Sequence, residues 1–221
     1  MRPVFLYSIL ITLTLLFSGA SYADGEKATV GIGMRGSYWN MVDGPLQLRL
    51  HDHWDHDDFH AGGFGGNFFF FSRVSERLYL DFSLGGMIAL VDHNYYYDGE
   101  YTDVATVAPF LFGFRVDLLP MNIRTNLRPY VSAGAGMYVL SDIQVWEYNY
   151  YDEEVEIRST GRPGVYAGVG TNIMLSDNFG FNYDVKYHWV DFRDSYEEQR
   201  FRNGFEFGFG VVVVWGDFKK R

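Results

Sequence analysis

Near its C-terminus the chain reads NGFEFGFGV, residues 203–211. Phe205, Phe207 and Phe209 occupy alternate positions, with Glu206 and Gly208 between them. Successive side chains of a β-strand point to opposite faces. A period of two therefore describes a strand with one oily face and one face of carboxylate and bare backbone. The pattern constrains the fold because it recurs: residues 29–39, 62–73, 78–91, 106–117, 129–140, 164–175, 179–191 and 203–215 all alternate in this way. Phe110, Phe112 and Phe114 oppose Gly113 and Arg115, for example, and Phe181, Tyr183, Val185 and Tyr187 oppose Asn182, Asp184 and Lys186.

The connections set the topology. Residues 74–77 and 176–178 are short joints, and 118–128 is a longer turn. The other joints, 40–61, 92–105, 141–163 and 192–203, are long and charged and read as loops. Alternation of tight turns at one rim with loops at the other is the rhythm of an up-and-down barrel, and an even number of strands returns both termini to the tight-turn, periplasmic side.

The distribution of charge decides which face is inside. A soluble barrel turns its apolar side inward. Here one face carries glycine in nearly every run together with isolated charges: Arg35, Asp81, Arg115, Asp184, Lys186 and Glu206. Three positive and three negative groups suit a narrow lumen in which they pair, and glycines leave room for long side chains. The opposite face is almost free of charge, as lipid requires, since a charge at the bilayer midplane costs about 2–4 kcal/mol. The fold class expected is all-β: an eight-stranded antiparallel up-and-down transmembrane β-barrel. Such a barrel has room for side chains inside but no wide pore. The lumen charges then form either a structural ion-pair lattice or the lining of a gated path.

The N-terminus gives the destination. Arg2 precedes an apolar run over residues 4–17, and Ser21 and Ala23 stand at the −3 and −1 positions of a cleavage site. Fourteen residues fall short of the roughly twenty that a helix needs to span a bilayer, so residues 1–23 read as a secretory signal peptide. Residues 24–221 form the barrel domain. With Arg2 removed the charge is 17 − 28 = −11, which excludes nucleic acid as a partner. The absence of cysteine excludes a disulfide framework and a lipid anchor at the cleavage site.

Two segments carry a further resemblance: VAPFLFGFRVDLLPMNIRTNLRPYVSAGAGMYVL, residues 107–140, and GVYAGVGTNIMLSDNFGFNYDVKYHWVDF, residues 164–192. With Arg128-Pro129-Tyr130 ahead of a Gly-Ala-Gly stretch and an NFG turn, they resemble the OmpW-like and OmpA-like small outer-membrane β-barrels of Gram-negative bacteria. The resemblance implies an outer-membrane location, insertion by the barrel assembly machinery, which reads a terminal aromatic (here Phe218, followed by a basic tail), and a narrow route for small hydrophobic molecules. These motifs specify architecture better than activity. The expected function is a narrow passive channel or a structural protein of the outer membrane, with adhesion or binding by surface loops as the alternative class.

Candidate sites are few. His51, His53, His56 and His60 are interleaved with aspartates and offer imidazole and carboxylate ligands for a divalent cation, or they simply decorate a wet loop. The acidic segment 141–163 with its interleaved tyrosines reads as a soluble cap, or as a contact to lipopolysaccharide bridged by cations. Residues 95–97, three tyrosines, fit a membrane rim. An enzyme that acts on lipid needs a nucleophile beside a base. Val190 stands where a serine would share the face of His188, and His93 has no serine beside it. The chain therefore reads as non-enzymatic and without cofactor. Its expected partners are outer-membrane lipid and lipopolysaccharide, with His188 as a member of the lumen network.

Overall fold

The computed structural model describes residues 29–40, 62–96, 99–120, 123, 125–148, 152–190 and 203–216. They form strands β1 (Val30–Asn40), β2 (Gly62–Arg73), β3 (Leu78–Tyr96), β4 (Gly99–Asp117), β5 (Leu127–Tyr148), β6 (Asp152–Met174), β7 (Phe179–Val190) and β8 (Gly204–Trp215). Each pairs antiparallel with its sequence neighbours, and β8 pairs with β1 to close a barrel. No helix occurs among the described residues.

The register fixes the dimensions. One row of paired residues runs Val30, Ser72, Leu80, Phe114, Ala133, Ala167, Tyr187, Phe205 and returns to β1 at Asn40. The displacement is 40 − 30 = 10 residues, the shear of the barrel. With standard strand spacing and rise, eight strands at this shear tilt by about 40° and enclose a backbone radius of about 8 Å. Such a cylinder is filled by side chains from its own wall.

The turns sit at one rim. The amides of Val74 and Ser75 donate to the carbonyl of Leu78, and those of Leu175 and Ser176 to the carbonyl of Phe179. Ser176 Oγ accepts from the amides of Asn178 and Phe179. The longer β4–β5 turn is tied from within, since Arg128 donates to the carbonyls of Pro120 and Ile123 at 3.2 Å each.

Alternation places the oily face outside. Phe64 is 77% exposed, and Phe68, Phe112, Phe114, Val169 and Phe209 also face outward. On β8 this wall runs from Trp215 at the turn rim to Phe205. Ten residue steps at about 40° of tilt correspond to about 25 Å, the height of the apolar band of an outer-membrane barrel. Aromatic rings pack against each other at its upper edge: Tyr187 lies 4.6 Å from Trp189 and 4.7 Å from Phe205, centroid to centroid.

Two expected loops are corrected. Most of residues 92–105 and 141–163 is strand, because β3–β4 and β5–β6 continue their pairing past the end of β2 and β7. Those segments are charged but still alternate, with Val91, Val104, Ile143 and Ile157 in mutual register. Charge was misread there as an end to the strand. It marks instead the zone beyond the lipid, where a sheet is free to be polar on both faces. Tyr95 and Tyr96 pair with Glu100 and Gly99 at the end of the β3–β4 hairpin.

Candidate functional site

The inward face of every strand converges on the lumen, where the sequence placed its charges. All of the expected charged residues are buried there: Arg35 (β1), Asp81 (β3), Arg115 (β4), Asp184 and Lys186 (β7) and Glu206 (β8). They do not form one lattice. Arg35, Asp184, Lys186 and Glu206 form one network, and Arg115 pairs elsewhere.

The middle layer is a connected polar network. Arg35 donates to the Asp184 carboxylate through Nη1 and to Asn67 Oδ1 through Nε at 2.9 Å. Asn67 Nδ2 in turn donates to Glu206 Oε1 at 2.6 Å. Lys186 Nζ stands between the two acids, 3.3 Å from Asp184 Oδ2 and 3.7 Å from Glu206 Oε2. His188 Nε2 lies 3.1 Å from the same Glu206 oxygen, and His188 Nδ1 lies 2.7 Å from the Tyr138 hydroxyl. Toward the turns, Arg35 also donates to Asn182, whose Nδ2 reaches Tyr130 and Asn172.

Arg115 stands apart. It pairs with Asp117 at 3.3 Å and is sandwiched between rings, 4.3 Å from the Phe71 centroid and 3.8 Å from that of Tyr130. The planar guanidinium satisfies both demands at once, stacking on aromatic faces while its edge reaches a carboxylate. Asp81 is buried on β3 opposite Gly113.

Apolar layers close the lumen above and below. On the loop side Trp39, Met87, Val107, Leu111, Tyr138, Leu140, Tyr166 and Val190 pack together, and on the turn side Phe69, Phe71, Tyr79, Met174, Val212 and Val214 do so. The inner glycines make this packing possible. A Cβ on Gly170 would meet the Tyr130 ring at 2.5 Å, on Gly164 the Tyr138 ring at 2.7 Å, and on Gly208 the Asp184 carboxylate at 2.5 Å. Each glycine is thus the recess into which a neighbouring strand's large side chain lies.

Among the described residues the buried charges balance: Arg35, Arg115, Arg128 and Lys186 against Asp81, Asp117, Asp184 and Glu206. Asn67, Asp117, Asn182 and Tyr138 fall on the polar side of their runs in the sequence, whereas Arg128 and the inward rings of Trp39, Phe69, Phe71 and Tyr130 were not singled out as lumen contributors. Parity was the signal for them. Phe69 and Phe71 share the odd positions of β2 with Asn67, not the even positions of the lipid-facing Phe64 and Phe68.

His188 is fully buried, with Trp39 stacked on its ring at 4.6 Å. His93 lies opposite Thr102 in the β3–β4 hairpin. The candidate metal ligands His51, His53, His56 and His60 lie outside the described residues. No group of three or more potential metal ligands occurs among the described residues.

The backbone is similar to solved outer-membrane barrels. A major outer membrane protein from Thermus thermophilus aligns with a TM-score of 0.54 at 11% identity, covering 86% of this chain and 100% of the other. The outer membrane protein OprG from Pseudomonas aeruginosa aligns with a TM-score of 0.50 at 10% identity, covering 86% and 97%. At such identities the likeness concerns the fold alone. No curated protein sequence matches this one. Residues 9–213, nearly the whole chain, match the family model described as the outer membrane protein beta-barrel domain. With its closed eight-stranded barrel, oily exterior and charged, plugged interior, the chain belongs to the outer membrane protein beta-barrel domain family.

Proposed function

We propose that this protein is a structural component of the outer membrane whose barrel is closed to water and ions. One observation carries the reading: the lumen is filled at three successive heights, by an aromatic layer, an ion-paired layer and a second aromatic layer, with Trp39, Arg115, Tyr138, Lys186 and Phe71 all less than 2% exposed. A backbone radius of about 8 Å leaves no second file of space beside such side chains. The likeness to other small barrels supports the location and leaves the role open.

In this reading the chain performs no catalysis. Among the described residues His188 is bonded to Tyr138 and Glu206 within the buried network, and to no serine or threonine. The signal peptide is removed after Ala23. The barrel assembly machinery inserts the chain, and outer-membrane lipid and lipopolysaccharide are its surroundings, with divalent cations at the external segments. Single-channel recording of the purified protein in planar bilayers tests the reading. A persistently silent bilayer is the expected result. Discrete, ohmic conductance steps at neutral pH would overturn it and favour the narrow passive channel.

A further inference from the structure

We infer that the turn-side end of the lumen contains a binding site for a planar cation, and that the protein's own Arg115 is its occupant. This goes beyond the closed-barrel reading, because that end is then shaped as a site and not merely packed. Three rings surround the Arg115 guanidinium, with its Cζ 3.8 Å from the Tyr130 centroid, 4.3 Å from that of Phe71 and 5.5 Å from that of Tyr79. All three fall within the roughly 6 Å at which the negative face of a ring holds a cation. The edge of the group is met separately: Nη2 donates to Asp117 Oδ1 at 3.3 Å, while Nε has no acceptor among the described residues. Two faces and one edge are thus the recognised features. A guanidinium offers them together, whereas an ammonium is a compact point charge.

The walls of the site are held from behind and not by their occupant. The Phe71 ring lies over Gly31 of β1 and the Tyr130 ring over Gly170 of β6, each so close that a Cβ on the glycine would collide with it. The Tyr130 hydroxyl also accepts from Asn182, and Phe71 is stacked on Phe69 and edge-on to Tyr79. Phe71, Tyr79 and Tyr130 are at most 4% exposed. Rings fixed in this way keep their places when the side chain between them is shortened, and a preorganised site binds a free cation without first having to form. R115A leaves only the Cβ of the side chain, and ethylguanidinium supplies the atoms that are lost.

The test is reversible urea unfolding of the mature full chain refolded into lipid vesicles, with millimolar ethylguanidinium present throughout. For R115A the folded-to-unfolded ratio should rise, about tenfold for each tenfold increase in ethylguanidinium once its concentration exceeds the dissociation constant. Wild type should not respond, because Arg115 fills the site, and ethylammonium should act more weakly on R115A. Adding D117N to R115A should weaken the affinity about tenfold, the effect of losing one hydrogen bond to a charged group. The inference fails if wild type and R115A respond equally, if R115A does not respond, or if ethylammonium matches ethylguanidinium. A second measurement holds whether or not R115A folds. In wild type with ¹⁵N-labelled arginine, the Arg115 signals, assigned by their loss in R115K, should show an Nε hydrogen shifted upfield by the flanking rings and two distinct Nη groups. A free-arginine position with averaged Nη signals would overturn the site. Neither readout uses conductance, so a conducting barrel would refute the closed reading and leave the cation site to stand or fall on its own result.

Discussion

Replacing Asp184 with asparagine is the most direct probe of whether the lumen is sealed. The substitution keeps the size of the side chain and removes one charge from the middle layer. Asp184 is bonded to Arg35 and lies 3.3 Å from Lys186 Nζ, and all three side chains are at most 2% exposed. With the carboxylate gone, Arg35 and Lys186 keep only Glu206, 3.7 Å from the lysine, and the more distant Asp81, and the balance of buried charge is broken. At an effective dielectric of about 20, one unit pair at the Lys186–Asp184 distance is worth about 5 kcal/mol. Truncation of one partner of a buried pair ordinarily costs about 3–5 kcal/mol. The asparagine oxygen still accepts a hydrogen bond, so about 3 kcal/mol is expected for D184N, a more than hundredfold shift in the folded-to-unfolded ratio. Reversible urea unfolding in lipid vesicles, followed by tryptophan fluorescence, measures it. R35Q/D184N should lose less than the sum of the two single variants, because both ends of the pair leave together. A loss of less than about 0.5 kcal/mol for D184N would mean that water screens the network, and the argument for a sealed lumen would fall.

The same unfolding assay checks the packing logic. G170A should be destabilised by about 1–3 kcal/mol, because the new methyl meets the Tyr130 ring. G36A should be neutral or stabilised by up to about 1 kcal/mol, because its Cβ would project from the outer face with nothing within 4 Å. F209K, which places a charge on the lipid-facing wall, should cost about 2–4 kcal/mol in vesicles, with the loss reduced in thin bilayers.

Much of the fold was legible because a two-residue period is local. Phe205, Phe207 and Phe209 declare their face through Glu206 and Gly208, whatever the rest of the chain does. Strand length was less legible. Once a hairpin leaves the membrane, neither face has to be oily, and Asp92, Asp103, Gln144 and Glu156 look like a loop although they pair across four strands. Within the lumen, parity identified the charges but not their partners. Arg115 was grouped with Arg35, yet shear carries β4 to a different height from β1, and its company is Phe71, Tyr130 and Asp117. The inward aromatics were hidden for a related reason. In β2 the run Phe68 to Phe71 is continuous, and only the positions shared with Asn67 distinguish the two that turn inside.

The middle layer draws Arg35 from the first strand, Asn67 from the second, and their acidic and amide counterparts from the last two, at separations of up to 149 residues along the chain. During insertion the early hairpin therefore carries a guanidinium whose hydrogen-bonded counter-ion, Asp184, arrives only with β7. An incomplete cylinder leaves that cation without its hydrogen-bonded carboxylate. Closure relieves that penalty in a single step, so intermediates missing the final hairpin gain nothing by entering the bilayer early.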